Sequence, residues 1–104
     1  MKTGIEIISA ERKRQIEIEG WTPQHDDRYY SSNENLALAA VSYTLPPRLR
    51  YDPRGSDMPT GYNGKILWPW ESKWWKPTPD DRIRELAKAG ALIAAQIDVL
   101  QRKK

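Results

Sequence analysis

TPDDRIRELAKAGALIAAQIDVLQ, residues 78–101, is the stretch that decides the fold class. Thr78 can cap a helix, Pro79 suits its first position, and Asp80 and Asp81 complement the positive end of the helix dipole. The spacing predicts a helix over 79–101, with Leu86, Ile93, Ile97 and Leu100 as a heavy apolar stripe. Ala87, Ala89, Gly90, Ala91, Ala94 and Ala95 leave a smooth flank beside it. Glycine inside a helix costs about 0.5–1 kcal/mol relative to alanine, so a close backbone approach at Gly90 is the expected compensation. Positive charge on Arg102, Lys103 and Lys104 complements the negative end of the dipole.

The natural neighbour for that flank is an Ala-rich helix predicted over 34–45. Ser32 or Asn33 caps it, Leu36, Ala40 and Tyr43 share one face, and Ala37, Ala39 and Val41 widen the apolar surface. Pro46 and Pro47 end it. Upstream, Ile5, Ile8, Arg12, Ile16 and Glu19 fall near helical spacing over 4–19, and Glu11, Arg12, Lys13 and Arg14 form a charged outer face. Gly20 stops that helix. Residues 20–33 show no period and read as an ordered loop. Residues 46–78 are broken by proline and glycine, yet Tyr51, Tyr62, Trp68, Trp70, Trp74 and Trp75 sit there, a load that argues for packing. The expected fold class is mainly α: one domain, 1–104, of three helices, with a long Trp/Pro-rich irregular segment between the second and third.

At 104 residues the chain has room for one small core. A net charge of +3 is too mild for general coating of duplex DNA. The absence of cysteine removes disulfides and thiol chemistry, and a single histidine removes multi-His metal sites. No apolar run is long enough to cross a bilayer, and the N-terminus lacks the apolar region of a signal peptide, so a cytoplasmic location and no membrane partner are expected. No GxGxxG, Walker, CxxC or HExxH pattern occurs. The glycines around Gly61-Tyr62-Asn63-Gly64-Lys65 read as a turn, since no strand precedes and no helix follows them. The lean core and smooth flank suggest a homo-oligomer, with a dimer as the default closed symmetry.

Two constellations could carry chemistry. His25, Asp26 and Asp27, beside Arg28, could bind a cation or work as an acid/base pair, or could simply organise a loop. Trp68, Trp70, Trp74 and Trp75, with Lys73 and Lys76 between them, could stack on bases while the amines meet phosphate, or could close the core. Adjacent Trp74 and Trp75 cannot both face inward. Paired carboxylates on facing helices are missing, which disfavours a metal-dependent nucleotide hydrolase. The expected binding residues are Trp21, His25, Asp26, Asp27, Arg28, Trp70, Trp75, Lys76 and Lys88, with no catalytic residue, metal or cofactor assigned. The ligand they suit is nucleotide-like or otherwise small and anionic. The alternative partner is a host protein that meets exposed indoles as hot spots.

The runs Glu11-Arg12-Lys13-Arg14-Gln15 and Glu19-Gly20-Trp21-Thr22-Pro23-Gln24-His25-Asp26-Asp27, then Leu36-Ala37-Leu38-Ala39-Ala40 with Tyr43, carry a pattern. Trp68-Pro69-Trp70, Trp74-Trp75-Lys76-Pro77 and Arg84-Glu85-Leu86-Ala87-Lys88-Ala89-Gly90-Ala91-Leu92-Ile93 continue it. Together they resemble a family of small uncharacterised proteins of tailed phages and prophages. The resemblance spans nearly the whole chain apart from 48–65, and Asn35 and Gln96 depart from it, standing where Glu is expected. It implies a phage accessory protein and nothing more mechanistic. By analogy, phage accessory proteins of this size often act by occupying a host protein or a small signalling nucleotide, a mode that would suit counteracting host defence.

Overall fold

A computed structural model describes residues 1–50, 58–60 and 66–103 of the chain. Its longest element, α5 (Arg82–Arg102), begins where the Asp81 carboxylate accepts from the Arg84 N–H at 3.1 Å. Asp81 therefore caps this helix, three residues later than expected, because residues 78–81 form a separate turn closed by the Asp81 N–H on the Thr78 carbonyl at 2.8 Å. Ahead of it come α1 (Gly4–Glu17), α2 (Pro23–Tyr30), α3 (Asn35–Thr44) and a single turn, α4 (Pro47–Arg50). A 3-10 turn, Ser72–Trp74, lies between α4 and α5. The chain is mainly helical, as its periodicity required. The expected turn at 61–65, Tyr51 and Tyr62 lie outside the described residues.

Local chemistry accounts for the ends. At the start of α1, the Thr3 hydroxyl accepts from the Glu6 N–H at 3.2 Å, and the Glu6 carboxylate accepts from the Thr3 N–H at 2.9 Å. At its end Gly20 adopts φ +77° and the Trp21 N–H reaches back to the Gln15 carbonyl at 3.0 Å, so Gly20 is the expected stop. The loop expected over 20–33 is instead largely α2. The Thr22 hydroxyl accepts from the His25 N–H at 3.1 Å and Pro23 takes the first turn, a cap that aperiodic composition concealed. Helix α3 starts where the Asn33 side chain accepts from the Asn35 N–H at 3.0 Å, and Pro46 and Pro47 follow its end.

Helix α5 packs against α1, α2 and α3. Buried Ala39 and Ala40 of α3 and Ala89, Leu92, Ala95 and Val99 of α5 share one core with Leu36, Tyr43 and Trp68. Gln96 fastens the pair, its carbonyl oxygen accepting from the Ala37 N–H at 3.1 Å. On the other side of α5, an atom placed at the Cβ position of Gly90 would lie 2.5 Å from Ile8 of α1. The close approach expected at Gly90 is thus made by α1, not by the Ala-rich helix. A bulky apolar stripe usually marks the core-facing side of a helix. Here small side chains let α1 and α3 settle close on two flanks, and Leu86, Ile93, Ile97 and Leu100 stay exposed between them.

Helix α1 also departs from its expected orientation. Glu11 and Gln15 are its buried residues, whereas Ile5 is 81% exposed. The supposed outer face turns inward because it has partners there: Glu11 meets Arg14 and Arg84, and Arg12 meets Asp26. Arg102 does more than complement its own helix end, since it holds Asp27 of α2 at 2.8 Å. Among the described residues, no helix is long and apolar enough to cross a membrane.

Candidate functional site

The Trp-bearing segment does not close over the helices completely. Trp68, 6% exposed, belongs to the core, and its indole N–H donates to the Glu71 carbonyl at 3.1 Å. Trp70 stands edge-on to it, 5.2 Å between centroids, and reaches Tyr30 at 5.6 Å and Trp21 at 6.5 Å. Trp75 packs between Tyr43 at 4.8 Å and Trp68 at 5.1 Å, with the Arg50 guanidinium over its face. Its neighbour Trp74 is 58% exposed, which satisfies the geometric constraint that the two cannot both turn inward.

Between this aromatic wall and helices α1 and α5 lies a groove of about 870 Å³, the size of a small-molecule site. Trp21, Trp70 and Trp74 line it, with Tyr30 and Tyr43. Burial pushes the Tyr43 hydroxyl up to about 12, so that part of the wall stays neutral at ordinary pH. Arg14, Lys76, Arg84 and Lys88 supply positive charge, and Glu11, Glu19 and Glu71 are the acids. Burial pushes Glu11 up, but hydrogen bonds and charge from Arg14 and Arg84 outweigh it and hold the carboxylate below the ordinary range. Lys88 lies 5.2 Å over the Tyr43 ring and donates to the Lys76 carbonyl at 3.0 Å. Partial burial, with the neighbouring Arg84 charge, pushes its ammonium pKa down, and an anion placed beside it would favour the charged form again.

Gln15 is the most telling residue of the groove. It is 1% exposed and donates through its amide nitrogen to Glu11 at 3.3 Å, while its carbonyl oxygen has no partner among the described residues. Flipping the amide would turn oxygen toward the Glu11 carboxylate and repel it, so the contact with Glu11 fixes the orientation. An unpaired buried carbonyl is costly, typically about 1–3 kcal/mol, and a ligand N–H would satisfy it.

Of the sequence-predicted site residues, Trp21, His25, Trp70, Lys76 and Lys88 come together along this groove. Asp26, Asp27, Arg28 and Trp75 do not line it. Asp26 is fully buried between Arg12 and His25, each at 3.3 Å, and burial pushes its carboxyl up. Asp27 is held by Arg102, and Arg28 lies over Tyr29. The His25-Asp26-Asp27 set therefore diverges, each acid engaged with a different arginine. Among the described residues, no three acids or histidines gather into a set that could hold a metal ion. Sequence reading missed Gln15, Arg14 and Arg84. The available signal was the i,i+4 pair Glu11 and Gln15, which shares a face with Ile8 and so had to face a neighbour.

These features define a small, mainly helical protein with an aromatic groove rimmed by cations. Comparison with protein-family models, with curated proteins and with solved structures finds no match for the chain.

Proposed function

We propose that this protein binds and sequesters a small anionic, nucleotide-like ligand without converting it. The observation that carries the reading is one groove combining the exposed faces of Trp21, Trp70 and Trp74, the cations Lys76, Lys88 and Arg84, and the unpaired Gln15 carbonyl. A heteroaromatic ring stacks on indole, its amino group donates to Gln15, and its phosphate meets the basic rim. The reading fits a phage accessory protein that works in the host cytoplasm by withdrawing a signalling nucleotide from host defence.

Linear and cyclic nucleotides, titrated while indole fluorescence and melting temperature are followed, test it. At least one is expected to change the fluorescence. At a hundredfold excess over Kd, binding adds about 2.7 kcal/mol, which raises the melting temperature by roughly 10–20 °C. Gln15→Leu should weaken binding of that nucleotide by about tenfold or more. Silence across the whole panel removes the proposal.

Exposed Trp74 favours a second reading, in which this face occludes a host protein. Capture of a host protein that Trp74→Ala abolishes, with nucleotides inert, would establish it instead.

A further inference from the structure

Gln15 gives the groove an acceptor that its neighbour on α1 cannot supply. Glu11 is fully engaged: one carboxylate oxygen accepts from Arg14 Nε at 2.9 Å and from Arg84, the other from Arg14 Nη2 at 3.0 Å and Gln15 Nε2 at 3.3 Å. Each oxygen has two lone pairs, so that carboxylate has no acceptor capacity left. Of the buried side-chain atoms without a partner among the described residues, Gln15 Oε1 alone is an acceptor and alone belongs to a groove residue. The Trp21 main-chain N–H donates to the Gln15 main-chain carbonyl at 3.0 Å, which anchors that indole beside the acceptor.

The cations divide as unevenly as the acceptors. Arg14 is held by Glu11 and Glu19, and Arg84 by Glu11. Lys76 and Lys88 line the same groove, and Lys88 donates to the Lys76 carbonyl instead of to an acid. Neither ammonium has an acidic partner among the described residues.

We infer that the ligand of this groove is a nucleotide whose base carries an exocyclic amino group and which bears a single phosphate. The inference rests on the nucleotide reading above and narrows it. An amino group on the ring edge donates to Gln15 Oε1 while the ring lies on Trp21. An oxo group in its place sets oxygen against oxygen and leaves the buried carbonyl unpaired. A site built around a hydrogen bond to a ligand N–H rejects the analogue that lacks it more strongly than an apolar pocket rejects a change of size. The paired lysines suit one phosphate through charge-assisted hydrogen bonds. Beyond them the groove offers only arginines already held by Glu11 and Glu19, so added phosphates gain little and face those acids.

Calorimetric titration of the full chain with matched monophosphates, linear and cyclic, tests the assignment. AMP and CMP become IMP and UMP by exchange of amino for oxo, and GMP becomes IMP by loss of its amino group. In the pair that holds the tightest ligand, the amino member is expected to bind at least about tenfold more tightly. Its triphosphate should bind no more tightly than the monophosphate. Gln15→Leu should bring the two members of the pair within about twofold of each other. Should that variant fail to fold, the wild-type comparison decides by itself, since it needs no substitution. An amino-free member that binds as tightly as its partner, a preference that survives Gln15→Leu, or a tighter triphosphate would each overturn the inference and leave the nucleotide reading standing. Silence from every nucleotide removes both.

Discussion

Replacing Glu85 by Ala is expected to cost the fold about 3–5 kcal/mol, which lowers the melting temperature by roughly 15–30 °C. Glu85 and Arg50 are both fully buried and joined as a fork, at 2.9 and 3.1 Å. The same carboxylate accepts from Arg82 at 2.8 Å and from the Thr78 N–H at 3.0 Å. Arg82 in turn donates to the Tyr43 and Thr44 carbonyls at the end of α3, at 2.9 and 2.8 Å. One acid therefore ties α4, the turn before α5 and the end of α3 together. Its loss strands the Arg50 charge in the interior, where Arg50 Nε already lacks a partner among the described residues. Thermal denaturation checks the value. The double variant Arg50→Met with Glu85→Leu should recover most of the loss, because it removes both charges at once.

The acid limit of the fold follows from the same geometry. Burial pushes Glu85 up, but Arg50, Arg82 and the Thr78 N–H outweigh it and hold the carboxyl below the ordinary 4.5. Glu11 is likewise held below 4.5, by Arg14 and Arg84. A carboxyl whose folded value lies below its unfolded one stabilises the fold above the unfolded value and stops doing so as pH falls through the folded one. Asp26, raised by burial, works the other way: its contribution is present at low pH and lost as pH rises through the raised value. Glu6, held below 4.5 by the Thr3 N–H and hydroxyl, adds to the loss, so among the described residues three lowered carboxyls oppose one raised and stability falls in acid. Melting temperature should fall as pH drops below 4.5, and a flat profile there would contradict the assignment.

Trp68→Ala is expected to cost about 3–5 kcal/mol and to abolish nucleotide binding together with the fold of the groove wall. Trp68 touches Tyr43, Trp70 and Trp75 at 5.6, 5.2 and 5.1 Å, so its removal leaves the aromatic wall without its centre. Trp74→Ala supplies the contrast. That indole is 58% exposed with Lys73 over its face, and its loss should leave stability within about 0.5 kcal/mol while weakening any ligand that stacks at the rim. Denaturant unfolding and fluorescence titration of the two variants separate support of the groove from contact with its ligand. Equal destabilisation by both would contradict this division.

Much of the helical skeleton was legible because its signals are local. Gly20 could be read as a stop from its own neighbours, as could the proline pair after α3 and the long period of α5. Helix α2 was hidden because its single cap, Thr22, sits in a stretch whose apolar side chains have no regular spacing. The candidate site was half legible. Indoles and lysines announce themselves by type, whereas Gln15 and Arg84 matter only through what faces them. Asp26 and Asp27 misled for the same reason: adjacent acids suggest a shared ligand, but on α2 they point to different arginines.

By itself, the sequence determined a mainly helical chain, where most of its helices lie, and an indole content too large for a small core to enclose. Hydrogen bonds and dihedral preferences that set these features span only a few residues. Only the tertiary structure decided which side of each helix is inside. Small residues on two flanks of α5 let α1 and α3 approach closely and left its heaviest stripe bare. Pairing with Arg14 and Arg84 drew Glu11 inward, and Gln15 with it. Burial depends on which neighbour fits, and that neighbour lies dozens of residues away along the chain.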